Sequence, residues 1–205
     1  MKRYKFLRTG LKSESGDIRW KFGKWRKFVG KLKMCEGGFH CSVEPYDAFS
    51  YVQGEILAEV EVGGEHLEKS DKQVWEKMRI IRAWKWQKRN SIELAIFCAE
   101  LVLPNFEREH PDDKRPRLAI EAAKKVLFKD TARNRKAAGS AAWSAAWRAA
   151  WSAARSAGSA ARSAGSAESA ARSAGSAESA TITKIQNKFK EIVRKLEPYQ
   201  RNQWI

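Results

Sequence analysis

Three groups of residues have types and spacings from which chemistry could be built. The first, Trp20, Lys21, Lys24, Trp25, Arg26 and Lys27, interleaves indoles with cations, a combination that stacks on bases or grips phosphates. A plainer role fits equally well, with the tryptophans in a core and the cations around it, and both stay open at this point. The second group is Cys35, His40 and Cys41 within CEGGFHC. A zinc site needs about four ligands in tetrahedral geometry, but no CxxC or HxxxH pair completes the set, and Cys98, His66 and His110 stand singly. We therefore expect no metal and read the motif as a glycine turn that delivers Phe39 and Cys41 into a core. The third group is Trp143, Trp147 and Trp151, four residues apart in SAAWSAAWRAAW, a spacing that puts three indoles on one flank of a helix. No glycine-rich phosphate loop, nucleophile elbow or triad spacing occurs. No catalytic residue and no cofactor is expected.

Charge narrows the partners. Forty Lys and Arg against 24 Asp and Glu leave +16 over 205 residues, which favours nucleic acid, an anionic membrane or an acidic protein face. The charge is also polarised. Residues 1–33 hold twelve basic and two acidic side chains, 34–71 hold one basic and nine acidic, and 72–89 hold seven basic and one acidic. Either these segments are neighbours that neutralise one another or the first is a basic contact surface. No run approaches the ~18–20 apolar residues of a membrane span, and MKRYKFLRTG has no apolar stretch behind its basic tip. The expectation is a soluble protein of the bacterial cytoplasm. Its odd number of cysteines argues for reduced thiols.

The elements that must position these groups divide the chain into an α+β head, residues 1–87, and a helical module, residues 91–205. In the head, Tyr4–Leu7 is a short strand ended near Gly10. EILAEVEV predicts a half-buried strand with Ile56, Ala58, Val60 and Val62 on one face, closed by Gly63 and Gly64. A short helix should start just after Pro45. A further strand runs from Lys77, with Met78, Ile80 and Arg82 on one face and Arg79, Ile81 and Ala83 on the other.

In the module, Ser91 is a candidate N-cap for a helix through Ile92, Ala95, Ile96, Ala99, Leu101 and Val102 that stops or kinks at Pro104. A second helix over about 118–128 completes a hairpin. Residues 137–180 are rich in Ala, Ser and Gly and contain two identical decamers, SAARSAGSAE, at 159–168 and 169–178. Their serine spacing averages below 3.6, so a stripe of small residues would wind left-handed around a helix and let another backbone approach closely. We read the stretch as one long helix or two; a disordered tether is the competing reading, against which the three tryptophans on one flank argue. The end of the chain is an amphipathic helix whose apolar stripe is Ile182, Ile185, Phe189, Ile192, Val193 and Leu196. Such a helix packs on its own protein or, being basic, lies on a membrane surface.

Two resemblances attach to these residues. YKFL near the start, WKFGKW, CEGGFHCS, PYDAFSY, EVEVGGE and KMRIIR together resemble an uncharacterised domain of phage and prophage proteins, over roughly residues 1–87. LAIFCAELVLPNFE and DDKRPRLAIEAA resemble helical immunity proteins of bacterial toxin systems, which implies a protein-binding role, although the shortened, decamer-repeated tail departs from that type. More faintly, the GFHCS stretch followed by an aromatic helix and a strand bearing Glu59 and Glu61 resembles ADP-ribosyltransferases. In those enzymes an E-x-E carboxylate holds the ribose hydroxyl and stabilises an oxocarbenium-like centre. No Ser-Thr-Ser signature accompanies the pair here.

The sequence thus leads us to expect a non-enzymatic inhibitor of a host defence or toxin component, for example an anti-CRISPR protein. Its contact surfaces would be the Trp20–Lys27 run and the Trp143, Trp147 and Trp151 flank. A nucleic-acid-binding accessory protein is the second reading and an ADP-ribosyltransferase-like enzyme the third.

Overall fold

The computed structural model describes residues 1–15, 18–52, 54–138 and 167–199. The protein is α+β. Its elements are β1 (Lys2–Leu7), β2 (Arg26–Lys27), β3 (Phe39–Cys41), α1 (Pro45–Tyr51), β4 (Ile56–Glu68), β5 (Gln73–Lys85), α2 (Lys88–Glu109), α3 (Arg115–Phe128) and α4 (Ala167–Arg194). Two compact units result: Met1–Lys88 together with the chain from Phe189 onward, and Arg89–Lys188. The first break falls beside the expected one, but the final segment belongs with the head and not with the helical module.

The first unit is built on the long β4–β5 hairpin. β1 pairs antiparallel with β4 on one side, while β3 and β2 pair antiparallel with successive parts of β5 on the other. Tyr4 and Ser42 then exchange backbone hydrogen bonds of 2.9 Å each. That bridge ties the free side of β1 to the end of β3, so the sheet curls until these two strands meet. Inside lie Leu7, Ile56, Ala58, Val60, Val62, Met78 and Ile80, with Trp20, Phe39 and Trp75.

The alternation of Ile56, Ala58, Val60 and Val62 is as expected, but two departures change the strands around it. β4 is not closed by its glycines. It runs on to Glu68, and the pairing slips between Gly63 and His66, where Gly64 takes φ +81. The glycine forms a bulge instead of a stop because it alone adopts that backbone without a Cβ penalty. β5 begins four residues earlier than expected, at Gln73. Within it Glu59 faces Arg82 and Val60 faces Ile80, leaving Ile81 as an extra residue. That insertion returns Ala83 to the buried face shared by Met78 and Ile80, where strict alternation would have placed it opposite.

The other face of the sheet carries Phe6 and Leu57, which are fully covered. α1 starts at Pro45, whose fixed φ suits a first helical turn, and brings Tyr46 and Phe49 over this face. The end of α4 supplies Phe189, stacked on Trp86 at 4.8 Å between ring centres and within 5.6 Å of Phe49 and 6.4 Å of Phe6. Phe189 and Ile192 are buried. The amphipathic segment therefore spends the deepest part of its apolar stripe on its own protein.

In the second unit α2 begins at Lys88, ahead of Ser91, so that serine is not its N-cap. The helix continues through Pro104 to Glu109. Proline removes one helical hydrogen bond, and contacts on both sides hold the chain helical across it. Ile96 and Leu103 are buried with Ile120 of α3, and beyond the proline Arg117 of α3 makes paired bonds of 2.7 and 2.6 Å to Glu107. α3 starts three residues before Leu118 because Pro116 sits in its first turn, where a missing N–H costs nothing. α4 is helical through the second decamer, Gly175 included.

Candidate functional site

The indole and cation run lies across β2 and the turns before it, and the structure divides it. Trp20 belongs to the core, not to a contact surface. It is 2% exposed, its Nε1 donates to Ser13 Oγ at 2.9 Å, and its ring meets Phe39 edge-on at 5.1 Å. A side chain so enclosed cannot stack on a partner. Trp25, five positions on, is 45% exposed. One of its faces is held by the Arg79 guanidinium, 4.7 Å from the ring centre. Arg26 and Lys27 form β2, and Lys27 pairs with Glu76 at 3.0 Å. Arg26 donates to the Arg19 carbonyl at 2.7 Å. Lys21 and Lys24 are exposed and form no ion pair among the described residues. Val29, 89% exposed, extends the same surface. The tryptophans of the other expected surface, Trp143, Trp147 and Trp151, lie outside the described residues.

The polarised charge of the head is resolved by strand pairing. Glu59 accepts from Arg82 at 2.8 Å with Lys2 3.6 Å away, and Glu61 binds Arg79 through Nε at 2.7 Å. Glu59 and Glu61 thus face Arg82 and Arg79 of β5 and Glu36 pairs with Lys33, while Lys21, Lys24 and Lys31 form no ion pair among the described residues. Each carboxylate of the E-x-E pair makes a cross-strand bond, and Glu59 Oε1 is buried without a hydrogen-bond partner among the described residues. Glu59 has its side chain only 4% exposed.

A second site, of which the sequence reading singled out only Cys35, His40 and Cys41, opens between β1, β3, α1 and the β4–β5 turn. It is a cavity of about 230 Å³. CEGGFHC builds one wall: Cys35 adopts φ +70 and Gly38 φ +107, and a Cβ at Gly38 would strike Val74 and Leu32. This tight turn delivers Phe39 and Cys41 to the core, as the sequence reading held. His40, between them, accepts the Cys35 N–H on Nε2 at 2.8 Å. Lys5 of β1 lies on the inward face with Leu7 and donates to the His40 carbonyl at 3.0 Å. Lys72 lies over the Tyr51 ring at 4.0 Å and 3.4 Å from Cys35 Sγ, and Tyr51 gives its hydroxyl proton to Asp71 at 2.6 Å.

Burial sets the electrostatics here. It pushes the Lys5 amine down to about 8, with Lys72 adding to the effect, and the His40 imidazole down to about 4, with Lys72 and Lys5 adding. The Cys41 thiol is pushed up to about 12 by the same loss of water. Tyr51 is raised to about 12, chiefly by its bond to Asp71. At neutral pH the cavity therefore holds a neutral imidazole, a neutral thiol and two lysines. Among the described residues no group of three or more His, Cys, Asp or Glu is placed to hold a metal. One signal could have found Lys5: in Tyr4-Lys5-Phe6-Leu7 a period of two sets a lysine beside leucine on the buried face.

Residues 1–90, which span β1 to β5 and α1, match a family model described as Domain of unknown function (DUF7666). No curated protein and no solved structure matches the chain.

Proposed function

We propose that the protein works by binding, without catalysis, as an inhibitor of a bacterial defence or toxin component, with anti-CRISPR activity the most concrete form. The observation that carries this reading is the exposed surface of Lys21, Lys24, Trp25, Arg26 and Lys27, in which Trp25 is held in place by Arg79. A large, amphipathic side chain fixed before contact loses little entropy on binding, and such aromatic anchors ringed by charge dominate interface energies. The likeness of the head to a phage and prophage domain, and of the helical segment to immunity proteins, supports the same reading. No helix among the described residues is long and apolar enough to cross a membrane.

A protein partner fits this surface better than nucleic acid. Glu76 and Glu61 stand among the cations, bound to Lys27 and Arg79. Beside a phosphate backbone they would repel, whereas against a mixed-charge protein face they add specificity. The test is affinity purification from the host with mass spectrometry, comparing the wild-type chain with a Lys21→Glu, Lys24→Glu, Trp25→Ala variant. A defence or toxin complex recovered by the wild type, inhibited by it and weakened at least ~30-fold for the variant is expected, since a Trp anchor alone contributes ~2 kcal/mol or more. Recovery unaffected by the variant would remove the reading. A salt-sensitive gel shift dependent on the same residues would assign nucleic acid instead, and NAD consumption abolished by Glu59→Ala and Glu61→Ala would assign the enzyme.

A further inference from the structure

The cavity beside CEGGFHC is separate from the partner surface and makes its own demand. Lys5 is a half-buried, inward-pointing lysine in a strand, on the same face as the fully buried Leu7. Burying an ammonium group costs free energy unless a counter-charge is present. Among the described residues neither Lys5 nor Lys72 forms an ion pair with a carboxylate. Lys5 has a carbonyl oxygen as acceptor, and Lys72 has an aromatic face and a sulfur. The carboxylates close by make no bond to either lysine: Asp71 accepts the Tyr51 hydroxyl and, with Asp47, places negative charge at the rim, and Glu14 at the mouth is held by Arg8 at 2.7 Å. The two ammonium groups thus face the cavity with N–H donors that bind no anionic acceptor. At about 230 Å³ the space lies below the ~300–1,000 Å³ of drug-sized pockets, so its occupant is small.

We propose that this cavity is a binding site for a small oxyanion, a carboxylate- or phosphate-bearing molecule, held between Lys5 and Lys72 with Tyr51 and the His40 ring beside it. An anion there supplies the counter-charge that the fold withholds, and the two lysines approach it from β1 and from the β4–β5 turn. The thiol of Cys41 and the imidazole of His40 carry no charge of their own at neutral pH to oppose it. The Lys5 amine, lowered to about 8, is also a better nucleophile near neutrality than an exposed lysine, which makes the site measurable.

The probe is pyridoxal phosphate, an aldehyde that carries a phosphate. The Lys5 nitrogen adds to the aldehyde carbon, water leaves as the imine forms, and borohydride supplied in the experiment reduces the C=N bond to a stable amine that peptide mass spectrometry locates. Lys5 is expected to label on the order of tenfold or more faster than exposed lysines, since each unit of lowered pKa raises the neutral fraction about tenfold. Inorganic phosphate or acetate should protect it. Protection by phosphate alone assigns phosphate-bearing ligands, by acetate alone carboxylates, and by both the oxyanion in general. Lys72→Met, at a half-buried turn position outside the main core, should fold and lose the protection, and Lys72→Arg should retain it. Labelling of Lys5 no faster than that of exposed lysines, protection by neither anion, or protection unchanged in Lys72→Met would each overturn the proposal.

Discussion

The guanidinium of Arg79 lies 4.7 Å from the centre of the Trp25 ring, and its Nε donates to Glu61 at 2.7 Å. One side chain of β5 thus links the acidic strand to the exposed indole that precedes β2. The carboxylate orients the guanidinium and the guanidinium orients the ring.

Arg79→Ala is therefore expected to act twice. Cation–π contacts at exposed sites contribute ~0.5–1 kcal/mol and partly exposed ion pairs ~0–1, so urea unfolding should show a loss of about 1 kcal/mol. Partner affinity should fall further than stability does, because the freed indole must be ordered on contact. Arg79→Lys should restore little, since a point charge lacks the planar face that stacks on indole. Equal affinity of the wild type and Arg79→Ala would mean that Trp25 needs no support.

Phe189→Ala tests the anchoring of the last helix. Phe189 is fully buried and touches Trp86, Phe49, Tyr46 and Phe6, so truncation should cost ~3–5 kcal/mol. Ile182→Ala, on the same stripe but 42% exposed, should cost less than ~1 kcal/mol. Similar losses from both in chemical denaturation would contradict the packing described.

Gly64 and Gly54 resist substitution for different reasons. Gly64→Ala meets a φ of +81 and the end of the Glu76 side chain, which can swing aside, so about 1–2 kcal/mol is expected from the backbone alone. A Cβ at Gly54 collides with the backbone of Leu7, which is locked in β1. Gly54→Ala should therefore be the more damaging of the two. Thermal melts of both variants decide the order.

His40 gives stability a pH dependence. Its folded pKa of about 4 lies below the ordinary 6.5, so between these values the unfolded chain binds a proton that the folded chain does not. Stability then rises with pH across that window and is lost as acid is added. His40→Gln should flatten the rise of the urea midpoint between pH 4.5 and 6.5. Lys5 behaves alike at a higher range. Its folded pKa of about 8 against 10.5 makes stability rise between those values, and at pH 7 its half-buried charge is a standing penalty. Lys5→Met should raise the midpoint at pH 7, the sign expected of a residue kept for binding and not for the fold.

Much of the architecture could be read from local pattern. Ile56, Ala58, Val60 and Val62 report their buried face through a period of two, Pro45 marks the start of α1, and Phe189 and Ile192 lie on an apolar stripe at helical spacing. The bulges at Gly64 and Ile81 could not be read this way. Each adds a single residue that one strand alone does not reveal, because a bulge exists only relative to its partner's register. Nor could the α2 boundary: Ser91 has the chemistry of an N-cap, but the helix had already begun at Lys88.

What the sequence by itself determined is the α+β class, the amphipathic character of the last helix and the concentration of cations in residues 21–33, all properties of neighbours along the chain. Only the tertiary structure decided that Trp20 is enclosed while Trp25 is presented on Arg79, and that Lys5, His40, Tyr51 and Lys72 surround one cavity. Burial and charge pairing depend on which distant strands meet. The curling of β1 onto the end of β3 brings those residues together, and the local composition of the chain does not specify that closure.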